Sequence, residues 1–439
     1  MRADSGVEQE RAIRPSELLL ALSRAADLAE GREAGHARRV AALALQIAKT
    51  AGLDEAEHGS LIEAALLHDL GLTAVVGKLA AALPYTDEEV VTRLHADPEA
   101  LISRIGGSAL QAAEAGLSQH PREGAALVEV APLPPVVARL VLLHHERWDG
   151  SGYPERLAGP EIPKAARILA LADLVESAAG PMGTPAEQAE RALRRLDQEA
   201  GRSLDPDMVA EVRSELARDE LWRSLDPPPE QELFDELDDQ PLDSSEHPAT
   251  LFVDLFGTLV DSKCAFTRRH STNVARLVGA AAPDLGLDSR SVRVVTRAAR
   301  IHDLGQIAVH SRVLEKAGSL APGELKQIRK HPSVTAQILD PLAALREVVR
   351  CAEAHHERLD GSGYPRGVPA EEIPTEVRLL AAADAYEALT AERPFRGPLS
   401  RDSTLNLLRS RAGRQYDGES IEAVGDVTAD KNLLDGQGH

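Results

Sequence analysis

Two stretches of this 439-residue chain, His144–Pro154 (HHERWDGSGYP) and His355–Pro365 (HHERLDGSGYP), agree at ten of eleven positions and stand 355 − 144 = 211 residues apart. A paired His, an acid, an Arg and a Gly-rich turn ending in Tyr-Pro are too polar and too stiff to recur by chance, so the chain is a duplicated folding unit. Other matches extend the repeat. LLHDLG (Leu66–Gly71) corresponds to RIHDLG (Arg300–Gly305), and GHARRVAAL (Gly35–Leu43) to RHSTNVARL (Arg269–Leu277). His68 and His302, like His36 and His270, are 234 apart, whereas His120/His331 and Asp173/Asp384 return to 211. The difference, 234 − 211 = 23 residues, places an insertion in the first copy between Asp69 and His120.

Each copy reads as helical. Val292, Val295, Ala299 and His302 are spaced three, four and three apart, which defines a single helix face, and Leu61, Ala64, Ala65 and His68 do likewise in the first copy. Each His-Asp pair is therefore expected near the end of a buried helix, its His pointing inward, with Ser289 or Ser291 capping the second of these helices. LFVDLFGTLV (Leu251–Val260) is the best strand candidate, yet it fits an apolar helix leading to His270. With 43% hydrophobic but only 3% aromatic residues, the cores should be Leu, Ala and Val packed between helices, and the class is all-α.

A net charge of −21 argues against general nucleic-acid binding, which needs a basic surface. Part of that charge is local: Asp226–Glu246 holds nine carboxylates, no Lys or Arg, and the run Pro227–Pro229. That composition predicts a solvated inter-domain tether, with partner docking through Leu233, Phe234 and Leu237 as the alternative. Two cysteines, Cys264 and Cys351, no apolar run of membrane-spanning length and no signal-peptide core in Met1–Glu10 make a cytoplasmic protein the expectation, with no membrane partner.

In the second copy five His and two Asp recur at matched places: His270, His302, Asp303, His331, His355, His356 and Asp384. Imidazole with carboxylate suits Fe, Mn, Zn or Ni better than Mg or Ca. Seven ligands exceed one tetrahedral site and suit two ions sharing a carboxylate, about 3.5–4 Å apart, that activate a water beside a phosphoryl group.

The order H…HD…H…HH…GYP…D, with HHExxDGxGYP as its signature, resembles the HD-GYP subgroup of the HD phosphohydrolase superfamily, whose members hydrolyse cyclic di-GMP. The resemblance covers both copies and implies two tandem HD-type helical-bundle domains, 14–225 and 247–427, joined by the acidic linker 226–246 and followed by a tail, 428–439. It implies two divalent ions per domain, Fe or Mn first, with Zn or Ni also compatible. His270, His302, Asp303 and Asp384 would hold one, and Asp303 would bridge to another on His331, His355 and His356. The counterparts are His36, His68, Asp69 and Asp173, then His120, His144 and His145. A third ion, bound in some members through a Glu four residues before the first His, is not expected, because Arg32 and Phe266 stand there.

Two departures from the family separate chemistry from frame. The Lys of HDxGK is replaced by Leu72 in the first copy and Gln306 in the second. Loss of one charged contact in such a site costs on the order of 2–4 kcal/mol of transition-state binding, slowing turnover without abolishing it. Arg393 and Arg396 suit phosphate in the second copy, and at the matched positions the first has Met182 and Pro185. The expected catalytic residues are thus Asp303, His302, Gln306 and, more weakly, Asp69; Arg393, Arg396, Gly363 and Tyr364 are the expected substrate contacts. The resemblance implies a cyclic di-GMP phosphodiesterase yielding the linear dinucleotide and then GMP, working mainly through the second copy. The alternatives are a binding-only signalling scaffold, which the Lys losses favour, and a phosphohydrolase of another nucleotide. Cyclic di-GMP, diguanylate cyclases and other signalling proteins are the expected partners; two similar copies also permit an internal pseudo-dimer or a homodimer.

Overall fold

The computed structural model describes residues 13–31, 35–73, 75–76, 87, 89–90, 108–180, 182–226, 230–240, 248–263, 269–392 and 396–430. Arg32, Phe266, Cys264, Arg393, most of the insertion and the tail from 431 lie outside these residues. The chain divides into two compact units, Arg14–Pro241 and Leu242–His439, the second grouped with Met1–Ile13. No strand occurs among the described residues, so the all-α expectation holds.

The first unit runs α1 (Pro15–Ala29), α2 (His36–Ala51), α3 (His58–Leu67), α4 (Ser108–Glu129), α5 (Pro135–Leu143), α6 (Lys164–Ala179), α7 (Pro185–Glu199), α8 (Pro206–Leu216), α9 (Asp219–Ser224) and α10 (Glu230–Asp235). At its centre α2 packs on α3 and α6, and α5 packs on α3 and α4. The second unit runs α11 (Pro248–Lys263), α12 (His270–Ala281), α13 (Ser289–Ile301), α14 (Ser311–Leu314), α15 (Pro322–Ile328), α16 (His331–Leu339), α17 (Arg346–Glu353), α18 (Thr375–Thr390), α19 (Arg401–Arg409) and α20 (Gly418–Val427). Here α12 packs on α13 and α18, and α17 on α13 and α16, repeating the first arrangement. The stretch Leu251–Val260 is helical, inside α11. The repeat is not perfect: α4 is continuous through Pro121, whereas Pro332 sits in the first turn of a separate α16. Proline is tolerated at that first turn because its missing N–H would have no helical partner there.

Helix α13 begins at Asp288, whose carboxylate accepts from the Ser291 N–H at 2.8 Å. The expected cap was Ser289 or Ser291; Asp288 takes the position because Ser289 is already the first helical residue. Val295, Ala298, Ala299 and Ile301 are buried, and His302 continues the helical conformation inward. The next turn needs glycine for space. A Cβ on Gly305 would lie 2.0 Å from the His331 carbonyl oxygen, and one on Gly71 would lie 2.1 Å from that of His120. The Gly305 N–H donates to Thr335 Oγ1, whose own hydroxyl donates to the His302 carbonyl, so the turn and α16 are tied together.

The acidic segment departs from expectation. Residues 230–240 are not a tether; they fold onto their own unit. Leu233 is buried and Leu237 nearly so, and Glu230 pairs with Arg38. Glu232 accepts from Gln46 and Lys49, Glu236 reaches Lys49 and His58, and Asp239 accepts from the Ser16 N–H and hydroxyl. Composition predicted solvation, but a basic face on α2 and two leucines one turn apart supply the missing partners.

This packing burdens one carboxyl. Burial first, and then the charge of Asp238, raise Glu63 on α3 from 4.5 to about 7. An acid whose pKa is raised by folding binds protons more tightly when folded, so its drag on stability is absent below 4.5, grows as pH rises from there to about 7 and is complete above it. Glu63→Gln is therefore expected to raise the thermal midpoint of the first unit at pH 8 and to change it little at pH 5. An equal effect at both pH values in calorimetry would remove this account.

Candidate metal centre

In the second unit the site is assembled from the ends of α12, α13, α16, α17 and the middle of α18. His302 follows the last turn of α13, and its Nδ1 lies 2.8 Å from the carbonyl of Ala299, three residues back. His331 Nδ1 meets the Ile328 carbonyl at 2.7 Å, and His355 Nδ1 that of Ala352 at 2.6 Å. A carbonyl only accepts, so each ring carries its proton on Nδ1 and turns an unprotonated Nε2 to the centre. His270 Nδ1 is held instead by Glu387 Oε2 at 2.5 Å.

These nitrogens converge in two groups. His270 and His302 Nε2 are 3.2 Å apart, as are those of His331 and His355. That spacing is close to the edge, about 3.3 Å, between ligands held 2.0–2.1 Å from one ion. Asp303 lies between the groups. Its Oδ2 is 3.5 Å from both His270 and His302 Nε2, and its Oδ1 is 3.1 Å from His331 Nε2 and 3.8 Å from His355 Nε2. Asp384 Oδ1 completes the first group, 3.4 Å from His270 Nε2. His356 joins the second group, and its buried Nδ1 has no hydrogen-bond partner among the described residues. Nitrogen-rich donors, a carboxylate with one oxygen for each group and an unpartnered buried nitrogen together fit two borderline divalent ions.

The electrostatics agree with this fit at Asp303, His355 and His356, whereas His270 holds a proton that an arriving ion would have to displace. Burial opposes ionisation of Asp303, yet His302, His331 and His270 hold its carboxyl well below the usual range. Burial likewise opposes charging of His270, but Asp384 and Glu387 outweigh it and raise that imidazole to about 10. Burial and the neighbouring imidazoles hold His355 and His356 well below the usual range, leaving them neutral as ligands must be.

The first unit repeats the set. His36 Nδ1 meets Glu176 Oε2 at 2.5 Å, and His68 and His144 Nδ1 meet the carbonyls of Ala65 and Val141. Asp69 Oδ2 is 3.2 Å from His68 Nε2, while its Oδ1 faces His120 and His144 at 3.8 and 3.7 Å. His145 joins His120 and His144, and Asp173 Oδ1 lies 3.6 Å from His36 Nε2. All fourteen expected ligands therefore fall in two matching centres.

The Gly-Tyr-Pro loop forms one wall. A Cβ on Gly363 would lie 2.4 Å from the Arg358 nitrogen, so only glycine lets the loop fold onto its own His-His-Glu backbone. Tyr364 then stacks on His356, ring centroids 4.7 Å apart. Glu357, the acid of the block, is buried and accepts from the N–H groups of Arg366 and Val368. Glu146 does the same for Glu155, Arg156 and Leu157.

Several residues were not anticipated. Glu387 and Glu176 stand three positions after Asp384 and Asp173, on the same helix faces, a spacing visible in AAADAYEA and ALADLVES. Their other oxygens differ in partner: Glu387 takes the Asn273 amide at 3.2 Å, and Glu176 the guanidinium of Arg39, the matched residue, at 2.6 Å. Gln306 sits half-buried in the turn after Asp303, whereas Leu72 is buried against Val76. Arg396 also has a structural part. Its Nη1 donates to the carbonyls of Leu389 and Gly397 and its Nη2 to that of Ala388, so it caps the C-terminus of α18. In the first unit Arg191, from the following helix, caps α6 in the same way through Ala179 and Met182.

The sequence profile of the HD domain matches residues 94–208 and 254–420. The chain is 28% identical over 93% of its length to the 3'3'-cGAMP-specific phosphodiesterase 3 of Vibrio cholerae, covering 93% of that protein. It is 33% identical to the cyclic di-GMP phosphodiesterase of Thermotoga maritima over 42% of this chain and 50% of that one. Among solved structures, a cyclic GMP-AMP specific phosphodiesterase of Vibrio cholerae superposes with a TM-score of 0.65 at 24% identity, over 95% of this chain and 98% of that one. With the profile matched in both copies and the His-Asp pairs at the heart of each centre, the chain belongs to the HD domain family, in its HD-GYP branch.

Proposed function

We propose that this protein is a cyclic dinucleotide phosphodiesterase, its second unit carrying most of the activity. The observation that carries the reading is Asp303, which offers one carboxylate oxygen to each of two histidine groups and lies 7% exposed beneath a partly open rim. The ligand side chains with most exposure are His356, 19%, and Asp384, 13%, so substrate would approach on their side, beside Tyr364. The protein's own residues set the geometry. Asp303 holds the two ligand groups in register, Glu387 keeps the His270 proton on Nδ1 and thereby its Nε2 available, and the Glu357-pinned loop walls the entrance. Divalent ions bound there would supply Lewis-acid activation of a water and neutralise charge on the phosphoryl oxygens.

The substrate class is drawn from the relatives, several of which bear the names of cyclic di-GMP or 3'3'-cGAMP phosphodiesterases. The relative similar along the whole chain has the second name, so both nucleotides belong in the assay; hydrolysis of one phosphodiester would give the linear dinucleotide, and further hydrolysis mononucleotides. Weaker activity in the first unit is supported by Leu72, which lies in the core where Gln306 remains half-buried. A binding-only signalling role is favoured by the lack of Lys at both of those positions. Tight cyclic dinucleotide binding without turnover under Fe, Mn, Zn or Ni would select it.

Asp303→Ala is expected to lower turnover of protein loaded anaerobically with Fe or Mn by about a thousandfold or more and to reduce bound metal in the second unit. Asp69→Ala is expected to leave most turnover in place. Full activity in Asp303→Ala, by chromatography of the products, would sink the assignment. Glu387 acts through His270 as a positioning residue, so Glu387→Ala should weaken metal binding at that group by about 10–100-fold. Metal content after dialysis against graded chelator reads this directly, and unchanged retention would refute the role.

A further inference from the structure

The two centres match in their ligands but not at their rims. In the second unit the exposed Arg329 lies with its guanidinium carbon 5.4 Å from the centroid of the Tyr364 ring. Arg358, the Arg of the His-His-Glu-Arg block, lies 4.6 Å over the ring of Tyr416. Among the described residues neither guanidinium makes an ion pair with a carboxylate. Both guanidinium groups lie within electrostatic reach of Tyr364, which itself packs on His356 with ring centroids 4.7 Å apart. Tyr364 thus stands between the anionic floor of the site and two cations on its rim.

Among the described residues the first unit does not repeat this arrangement. Offset 211 places Ser118 opposite Arg329, and the matched local bridges Ala200–Leu204 and Ala412–Tyr416 place Leu204 opposite Tyr416. Arg147, opposite Arg358, is present but 3.4 Å from the carboxylate of Glu199. Among the described residues this cation pair occurs in the second unit, on the side where His356 and Asp384 are most exposed; in the first, Arg122 instead donates to the Pro154 carbonyl at 3.1 Å.

We propose that Arg329, with Arg358 beside it, binds the second phosphate of a cyclic dinucleotide while the first lies over the histidine groups. This rests on the phosphodiesterase reading above and deepens it. A cyclic dinucleotide is a ring with two phosphodiesters, and a centre built of one bridging carboxylate and six further ligands addresses one of them. The other carries a full negative charge beyond the metal groups. A planar guanidinium meets phosphate oxygens in a fork, and one backed by an aromatic face is already positioned for that contact. The arrangement would favour substrates with two phosphates over simple diesters.

Arg329 is the better probe, because it is exposed and its loss leaves the Arg358–Tyr416 stack in place. In full-length, metal-loaded protein, Arg329→Ala is expected to raise KM for the cyclic dinucleotide about tenfold or more with kcat nearly unchanged. Hydrolysis of bis(p-nitrophenyl) phosphate, which has one phosphate, should stay the same. Arg329→Lys should recover part of the loss, and the Ala variant's KM should rise less steeply with salt than the parent's. An unchanged KM for the cyclic dinucleotide, or an equal loss on both substrates, would overturn the proposal. If the parent protein hydrolyses neither cyclic di-GMP nor 3'3'-cGAMP, the phosphodiesterase reading fails on its own. Equilibrium dialysis of the same nucleotides then decides the grip: weaker binding to Arg329→Ala supports it, and equal or absent binding to both proteins refutes it.

Discussion

The structure of each unit depends on a carboxylate that must face two groups of imidazoles at once. Asp303 does this from the turn that ends α13, and the turn fits only because Gly305 lets the backbone of α16 come within touching distance. Close approach brings His331 to one oxygen of Asp303, while the pitch of α13 leaves His302 at the other. Ions binding to the folded state would add to the free energy that assembles five chain segments. Folding and metal uptake are one linked equilibrium in such a design.

Around that shared frame the two units have diverged in partners rather than in ligands. Glu176 and Glu387 hold corresponding histidines, yet one is backed by a guanidinium and the other by an amide. Arg191 and Arg396 cap corresponding helices from different places in the chain. Duplicated units can keep a function of structure while moving the residue that performs it, and matched sequence positions then give a false negative.

What could be read from the sequence follows from how narrowly chemistry constrains each position. Metal ligation tolerates few residue types, so seven positions repeated at two offsets identified both centres, and the period of Val295, Ala299 and His302 identified the helix that presents them. The positioning acids were overlooked because a Glu three residues beyond an Asp is a common feature of solvated helix faces; only the opposing helix makes it a partner of His270. Asp288 rather than a serine caps α13 because the phase of the first turn is set by packing. The acidic segment was misjudged for a related reason: its mean charge describes the segment alone, while Leu233 and Glu236 are satisfied by α2 and α3, nearly two hundred residues earlier. The capping contacts of Arg396 show the same limit, since no local pattern announces that a guanidinium serves its own helix.

The histidines that cap helices have a consequence for which ions the protein can use. His68, His144, His302, His331 and His355 each give a proton to a backbone carbonyl at or near a helix end and an electron pair to the centre. A carboxylate could supply the electron pair but has no proton to give, so it would strand a buried carbonyl. Replacement by Asp or Glu, the route toward a site for hard cations such as magnesium, is thereby blocked by the backbone itself. A preference for softer ions would in this sense be a property of helix termination, set several bonds away from the metal.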